Sequence, residues 1–298
     1  MAAEGVALGG RVVPTAGSGG GGATDRDLGD LLRVEEVVAG YGGGDVLKGT
    51  TFSVPEHSIT CIVGPNGAGK STVSATISGV LPIRLGRIVF DGEVVSGRKP
   101  REVLQRGIVQ VPQNHSLFRK MTVRENVEFG AFLVRDRRVV RQRYERVAEL
   151  FPIVAERADA KAGSLSGGQQ RLVEFARCMM LDPRLAILDE PSLGLDPQVA
   201  RTVFRTIRRM HEAGVTILLV EQNARAALRL STHGVVLESG RVRLTGSGRE
   251  ILEHPEIGRL YLGGGTEEGA DVPAGEVDGK VEEGEVRART ATTEEDHG

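Results

Sequence analysis

The stretch GPNGAGKST, residues 64–72, constrains this chain more than any other part of it. It follows directly on the apolar run SITCIV (58–63) and leads into TVSATISGV, which reads as a helix. A G-x-x-x-x-G-K-S sequence set between a strand and a helix is a phosphate-binding loop. Gly64, Gly67 and Gly69, with Pro65, Asn66 and Ala68 between them, let backbone N–H groups turn inward around phosphate oxygens. The new helix adds its positive end. Lys70 can reach the β- and γ-phosphates, and the hydroxyl of Ser71, followed by Thr72, can ligate Mg²⁺. The bland alternative is a Gly-rich turn with an incidental lysine. The strand–loop–helix context disfavours it.

Other strands and helices follow from the same kind of pattern. SITCIV, GRIVF (86–90), GIVQV (107–111), RLAILD (184–189) and VTILLV (215–220) are short apolar runs of strand length. TVRENVEFGAF opens with Thr122 and Glu125 at capping-box spacing. Val140, Tyr144, Val147 and Leu150 form one helical stripe, and Val199, Val203, Ile207 and Met210 another. VVLESGRVRL (235–244) reads as a hairpin turning at Ser239-Gly240. Together these predict an α/β domain over 31–264, mainly helical between 114 and 165, with no internal repeat. Residues 1–30 hold GSGGGG and no periodicity, and read as a flexible arm. Residues 265–298 carry eleven Asp/Glu against three Lys/Arg and read as a disordered acidic tail, either a solvated extension or an interaction segment.

Composition narrows the class. A formal net charge of −2 argues against a general nucleic-acid binder. No apolar run approaches the roughly 18 residues that cross a bilayer, and MAAEGVALGG has no signal-peptide pattern. Cys61 and Cys178, both in apolar surroundings, fit core packing better than a disulfide or zinc site. The expected location is the cytoplasm.

Three further motifs carry chemistry. RLAILDEP (184–191) ends an apolar strand in Asp189, which can hold Mg²⁺ through water, and Glu190, which can accept a proton from an attacking water. Alone, Asp-Glu after a strand would be a helix N-cap pair; beside a phosphate loop it is not. LSGGQQ (165–170) gives Ser166 and Gln169 capping-box spacing, with Gly167 and Gly168 leaving a second helix end open to an anion. Two anion sites nearly 100 residues apart must bind one phosphate group each, or share one between two copies. LLVEQN (218–223) ends a buried strand with Glu221 and Gln222, both expected to face the crevice. Gln222 either contacts the ligand or caps the helix NARAALRL.

LSGGQQ, the phosphate loop, LDEP and SLGLD (192–196) together resemble the ATP-binding subunit of ABC transporters. The resemblance covers nearly all of 31–264. It implies a P-loop NTPase fold, with an inserted helical subdomain and an N-terminal antiparallel β portion, that binds ATP and Mg²⁺. In that family two cassettes meet head to tail, each ATP lying between one phosphate loop and the other subunit's signature sequence. Tyr41 in GYGGGDVL then matches the aromatic that stacks on adenine, its alternative being a plain surface tyrosine. Gln113 in VPQN matches the glutamine that touches Mg²⁺ and the attacking water, and Asp196 the acid that crosses the dimer interface. NHSLFRKMTVREN leads into the helical region with which the family grips its membrane subunits.

A narrower resemblance rests on VEQN (220–223), ELFP (149–152), DEPSLGL (189–195) and YLGG (261–264). These look like the high-affinity branched-chain amino-acid uptake ATPases, though urea and short-amide importers share the subunit type. Most ABC ATPases have a histidine where Gln222 stands, so this chain departs from the wider pattern. The implied function is ATP hydrolysis energising import of branched-chain or similar amino acids. The implied partners are a second ATPase subunit, membrane permeases and, indirectly, a solute-binding protein, with the chain peripheral on the inner face of the membrane. Lipid-linked export is the rival cargo. A soluble non-transport ABC ATPase usually carries two cassettes or coiled-coil insertions, which are absent from this sequence, and the intact Glu190 argues against a nucleotide-binding module without turnover.

Overall fold

A computed structural model of the chain describes residues 29–255 and 257. The expected acidic tail, and all but the end of the expected arm, lie outside the described residues. The first half runs β1 (Asp30–Ala39), β2 (Leu47–Pro55), β3 (Ile59–Val63), α1 (Lys70–Ile77), β4 (Leu85–Phe90), β5 (Glu93–Val94), α2 (Pro100–Gln105) and β6 (Ile108–Val111). Four helices follow, α3 (Val123–Phe129), α4 (Arg137–Leu150), α5 (Pro152–Glu156) and α6 (Gly167–Met179). The rest is β7 (Leu185–Asp189), α7 (Pro197–Glu212), β8 (Thr216–Val220), α8 (Ala224–Leu230), β9 (His233–Glu238), β10 (Arg241–Ser247) and α9 (Gly248–Glu253).

The strands form two sheets. One has the order β10-β9-β3-β8-β7-β6 and is parallel except for the β9–β10 hairpin. The other, β2-β1-β4-β5, is antiparallel. β3, β7 and β8 are buried along their whole length because both faces of their sheet are covered. Their side chains alternate between two cores. Cys61, Leu188 and Leu219 pack toward Val127, Phe175 and Val203 of the helices. Ile62, Ile187 and Leu218 pack with Val73 and Ile77 of α1 and with Leu32 and Val34 of β1. At about 1.5–3 kcal/mol for each large side chain removed from water, α1 is held from two sides. Both cysteines are buried and unpaired.

The expected stripes fold inward, with Tyr144 and Val147 buried on α4 and Val203, Ile207 and Met210 on α7. The hairpin turns where expected: Ser239 (φ 49°) and Gly240 (φ 78°) both lie in the left-handed region a two-residue I′ turn requires. β1 is harder to read. Leu32 and Val34 point inward, then Val37 and Ala39, so the buried set changes parity at Glu36, a bulge with φ 49°. Among the described residues no helix is long and apolar enough to cross a membrane.

Candidate functional site

The order β3-β8-β7-β6 sets four strand ends side by side, at the edge where open α/β sheets bind ligands. The phosphate loop follows β3, Glu221–Gln222 follow β8, Glu190 follows β7, and Pro112–Gln113 follow β6. A cavity of about 560 Å³ opens there, lined by residues of the loop between Asn66 and Thr72 together with Gln113, Glu190 and Gln222. A second cavity of about 450 Å³, against β1, β2, β9 and β10, contains none of the expected site residues.

Neighbouring backbone shapes the loop. Gly64 approaches β9 so closely that a Cβ would fall 2.1 Å from the Leu237 carbonyl oxygen. The Ala68 carbonyl accepts the N–H of Gly240 at 2.9 Å. The Gly240 carbonyl in turn accepts Lys48 N–H at 2.9 Å and the Thr50 hydroxyl at 2.8 Å, tying the loop to β2 through the hairpin turn. α1 starts with Gly69 as its N-cap and no side-chain cap, whereas in α3, α6 and α9 a capping box takes up the N–H of the third helical residue. The first turn of α1 therefore keeps its donors open to an anion.

Lys70 turns back on this loop. Its Nζ donates to the carbonyls of Gly64 (2.9 Å) and Pro65 (3.2 Å) and lies 3.8 Å from Glu190 Oε1. Gln113 Nε2 donates to Glu190 Oε2 at 2.9 Å. Glu190 has φ 44°, and its N–H donates to the Val220 carbonyl at 2.7 Å. Such a backbone costs on the order of 1–3 kcal/mol in a non-glycine residue and persists where its surroundings enforce it.

Asp189 sits deeper. Burial first, then the Glu190 charge, push its carboxyl up to about 6, against the pull of Lys70 and the Ser71 hydroxyl. Its Oδ1 is buried without a hydrogen-bond partner. An orphaned carboxylate oxygen beside a hydroxyl suits Mg²⁺, which takes one or two carboxylates plus substrate phosphates. Among the described residues there is no group of three His, Cys, Asp or Glu that could hold a metal ion. The capping alternative for Asp189 and Glu190 fails, since α7 is capped by Asp196, whose carboxylate accepts Gln198 N–H at 2.8 Å.

LLVEQN divides its two polar residues. Glu221 does not face the crevice, as its strand-end position predicts. It is buried and accepts the N–H groups of Ser192 (2.9 Å), Gln222 (3.1 Å) and Asn223 (3.3 Å), because these backbone donors offset the cost of burying its charge. Burial still raises its pKa. This staple between the 192–196 loop and the end of β8 is visible only from the contact. Gln222 lines the cavity, and α8 is capped instead by Asn223, which accepts Ala226 N–H at 3.2 Å. The capping reading of Gln222 is thereby removed.

The remaining expected residues lie outside the cavity lining. Tyr41 is 62% exposed, on a loop that Arg84 ties down through Asp45 and the Gly42 carbonyl. Ser166 and Gln169 cap each other at the start of α6, at 3.3 and 3.0 Å, with Gly167 and Gly168 in the first turn. Neither that end nor Asp196 lines the cavity of the same chain.

The ABC transporter family matches residues 47–193 of this chain. The high-affinity branched-chain amino acid transport ATP-binding protein BraG of Pseudomonas aeruginosa is 36% identical over 78% of this chain and 100% of its own length. The lipopolysaccharide export system ATP-binding protein LptB of Escherichia coli K12 is 31% identical over 78% of this chain and 97% of its own. The crystal structure of an ABC-transporter ATP-binding cassette in its ADP conformation superimposes with a TM-score of 0.72 at 29% identity, covering 78% of this chain and 99% of that one.

Proposed function

This chain belongs to the family of ABC transporter ATP-binding proteins, and from that premise we propose that it energises import of branched-chain amino acids by hydrolysing ATP. The observation that carries the reading is the single cavity joining the phosphate loop to Gln113, Glu190 and Gln222. The open first turn of α1 and Lys70 receive the β- and γ-phosphates. Ser71, Gln113 and Asp189 would hold Mg²⁺, which when bound neutralises charge on the phosphate oxygens. Glu190, positioned by Gln113, accepts the proton of the attacking water. Gln222 donates an N–H to a γ-phosphate oxygen, without the charge a histidine could carry. Tyr41 stacks on adenine.

Ser166 to Gln169 and Asp196 act in the site of a second cassette, as the head-to-tail pairing of the family implies, and they do not line the cavity of their own chain. Membrane permeases dock on the helical region after Gln113. There Phe118, Phe129 and Phe132 are exposed; Phe118 meets Phe129 edge-on with ring centroids 5.0 Å apart, and Phe132 stacks on Phe129 at 5.9 Å. An exposed aromatic cluster of this kind suits a partner surface. The chain then sits on the cytoplasmic face of the membrane through those permeases, which receive cargo from a solute-binding protein.

The test has two parts. Glu190→Gln should keep ATP binding and lose multiple turnover by roughly 10²- to 10⁴-fold, the usual worth of a general base. Near-native turnover in that variant would defeat the base assignment. Cells lacking this chain should lose high-affinity leucine uptake. The similarity to a lipopolysaccharide export subunit carries the second reading, for which leucine uptake stays intact and an outward lipid flux falls.

A further inference from the structure

The loop that carries Gln113 is held by a buried ionic clamp on α6. Arg171 is 3% and Glu174 1% exposed. Arg171 forks, its Nη1 donating to the Pro112 carbonyl at 2.9 Å and its Nη2 to the Gln113 carbonyl at 2.6 Å. Nη1 also meets Glu174 Oε2 at 2.9 Å. Glu174 Oε1 accepts the Ser116 N–H at 2.5 Å and the Ser116 hydroxyl at 3.3 Å, while Oε2 lies 3.4 Å from His115 Nδ1. One turn on, Arg177 Nη1 donates to the Ser116 carbonyl at 2.9 Å. Buried ions of opposite sign are rarely the cheapest way to fill a core, and apolar side chains of the same size often serve stability as well or better. Their geometry here satisfies the backbone of one short loop, and that loop ends in the side chain that bonds Glu190.

We infer that Arg171 and Glu174 are positioning residues that lock the Gln113 loop to α6, so that the helix end at Ser166–Gln169 and the Gln113 side chain move as one body. The inference rests on the proposed roles of Gln113 and Glu190. Its consequence is a link through one subunit. The face of α6 that meets a second cassette's nucleotide and the group that orients Glu190 in the subunit's own site share one rigid connection. Coupling of this kind needs a contiguous physical element that both sites bias, and the clamp supplies it.

The experiment is a double-mutant cycle in the full-length chain. Arg171→Met/Glu174→Met removes both charges together, so neither is left stranded, and keeps the packing volume. It should melt near the native temperature and bind a fluorescent ATP analogue within twofold of native affinity, yet lose at least tenfold in kcat. Added to Gln113→Ala, the same pair should cause no further loss, because the clamp acts through Gln113. A folded pair variant with native kcat, or losses that multiply in the cycle, would overturn the inference. If the pair does not fold, Arg171→Lys gives the same comparison, since one ammonium cannot fork to two carbonyls. Native kcat in Gln113→Ala would instead remove the reading of Gln113 itself, and the inference with it.

Discussion

Lys70, the cation of the phosphate loop, is occupied by the carbonyls of its own loop and stands 3.8 Å from Glu190. Arriving phosphates compete for the same ammonium, which would leave Glu190 to Gln113 and to water. Asp189 beneath them is held in an unfavourable ionised state by burial and by the Glu190 charge. Its folded pKa of about 6 is above the ordinary carboxylate value of 3.8, so the stability its protonated form contributes is complete below 3.8 and is lost as pH rises through about 6. Asp189→Asn should therefore melt higher than the native chain at pH 8 without nucleotide. That advantage should vanish near pH 4, while Mg²⁺-dependent hydrolysis is lost at every pH. Melting curves at the two pH values decide it, and an advantage of equal size at both would remove the charge argument. Gln222 gives the second residue-scale expectation. Gln222→Ala should slow single-turnover hydrolysis by roughly ten- to a hundredfold, somewhat below the loss for a strong oxyanion donor. Gln222→His should retain activity, because an imidazole N–H can reach the same oxygen. Measured with the partner's own phosphate loop disabled, a native rate in the alanine variant would show that Gln222 makes no phosphate contact.

The β9–β10 hairpin shows what an element contributes beyond its own strands. Its turn residue Gly240 hydrogen-bonds the phosphate loop on one side and β2 on the other, at φ 78° and with no room for a Cβ, which would sit 1.8 Å from the Val46 carbonyl oxygen. Gly240→Ala should cost about 1–2 kcal/mol from the left-handed backbone alone, lowering the melting temperature by roughly 2–8 °C. Nucleotide affinity should fall with it, because the Ala68 carbonyl loses its anchor. Thermal melts paired with nucleotide titration check this, and native values for both would refute it. The hairpin, β3, β7 and β8 were all legible in the sequence, the strands because burial on two faces leaves continuous apolar runs. β1 was not, because the bulge at Glu36 breaks the alternation that would have revealed it, and α2 was not, because six residues with one buried valine make no stripe. The site divides the same way. The phosphate loop and Glu190 sit in local motifs, and their placement could be read, whereas Gln113 could be assigned only through the family resemblance. Glu221, Gly240 and the Arg171–Glu174 pair act through contacts between distant segments, which no local pattern encodes.

At the scale of the whole molecule, one chain does not bring all the expected phosphate ligands into one cavity. The first turn of α6 lies outside it, although Ser166 and Gln169 cap that turn as a preformed end. A preformed helix end is an anion site only if an anion reaches it, and in the proposed two-cassette arrangement that anion is another cassette's nucleotide. Ser166→Arg should accordingly leave the nucleotide affinity of the isolated chain within twofold of native. It should also abolish ATP-driven association with the second cassette, whether a copy of this chain or a related subunit. Arginine removes the cap as well as adding bulk, and loss of such a cap costs about 1 kcal/mol. Ser166→Ala separates the two effects, since it loses the cap but leaves the surface open. Light scattering in a Glu190→Gln background, where bound ATP persists, should show association for alanine and none for arginine. Equal loss in both variants would assign the effect to the helix cap. A tenfold loss of affinity in the isolated arginine variant would place the helix end in its own chain's site, and the two-cassette arrangement would be wrong.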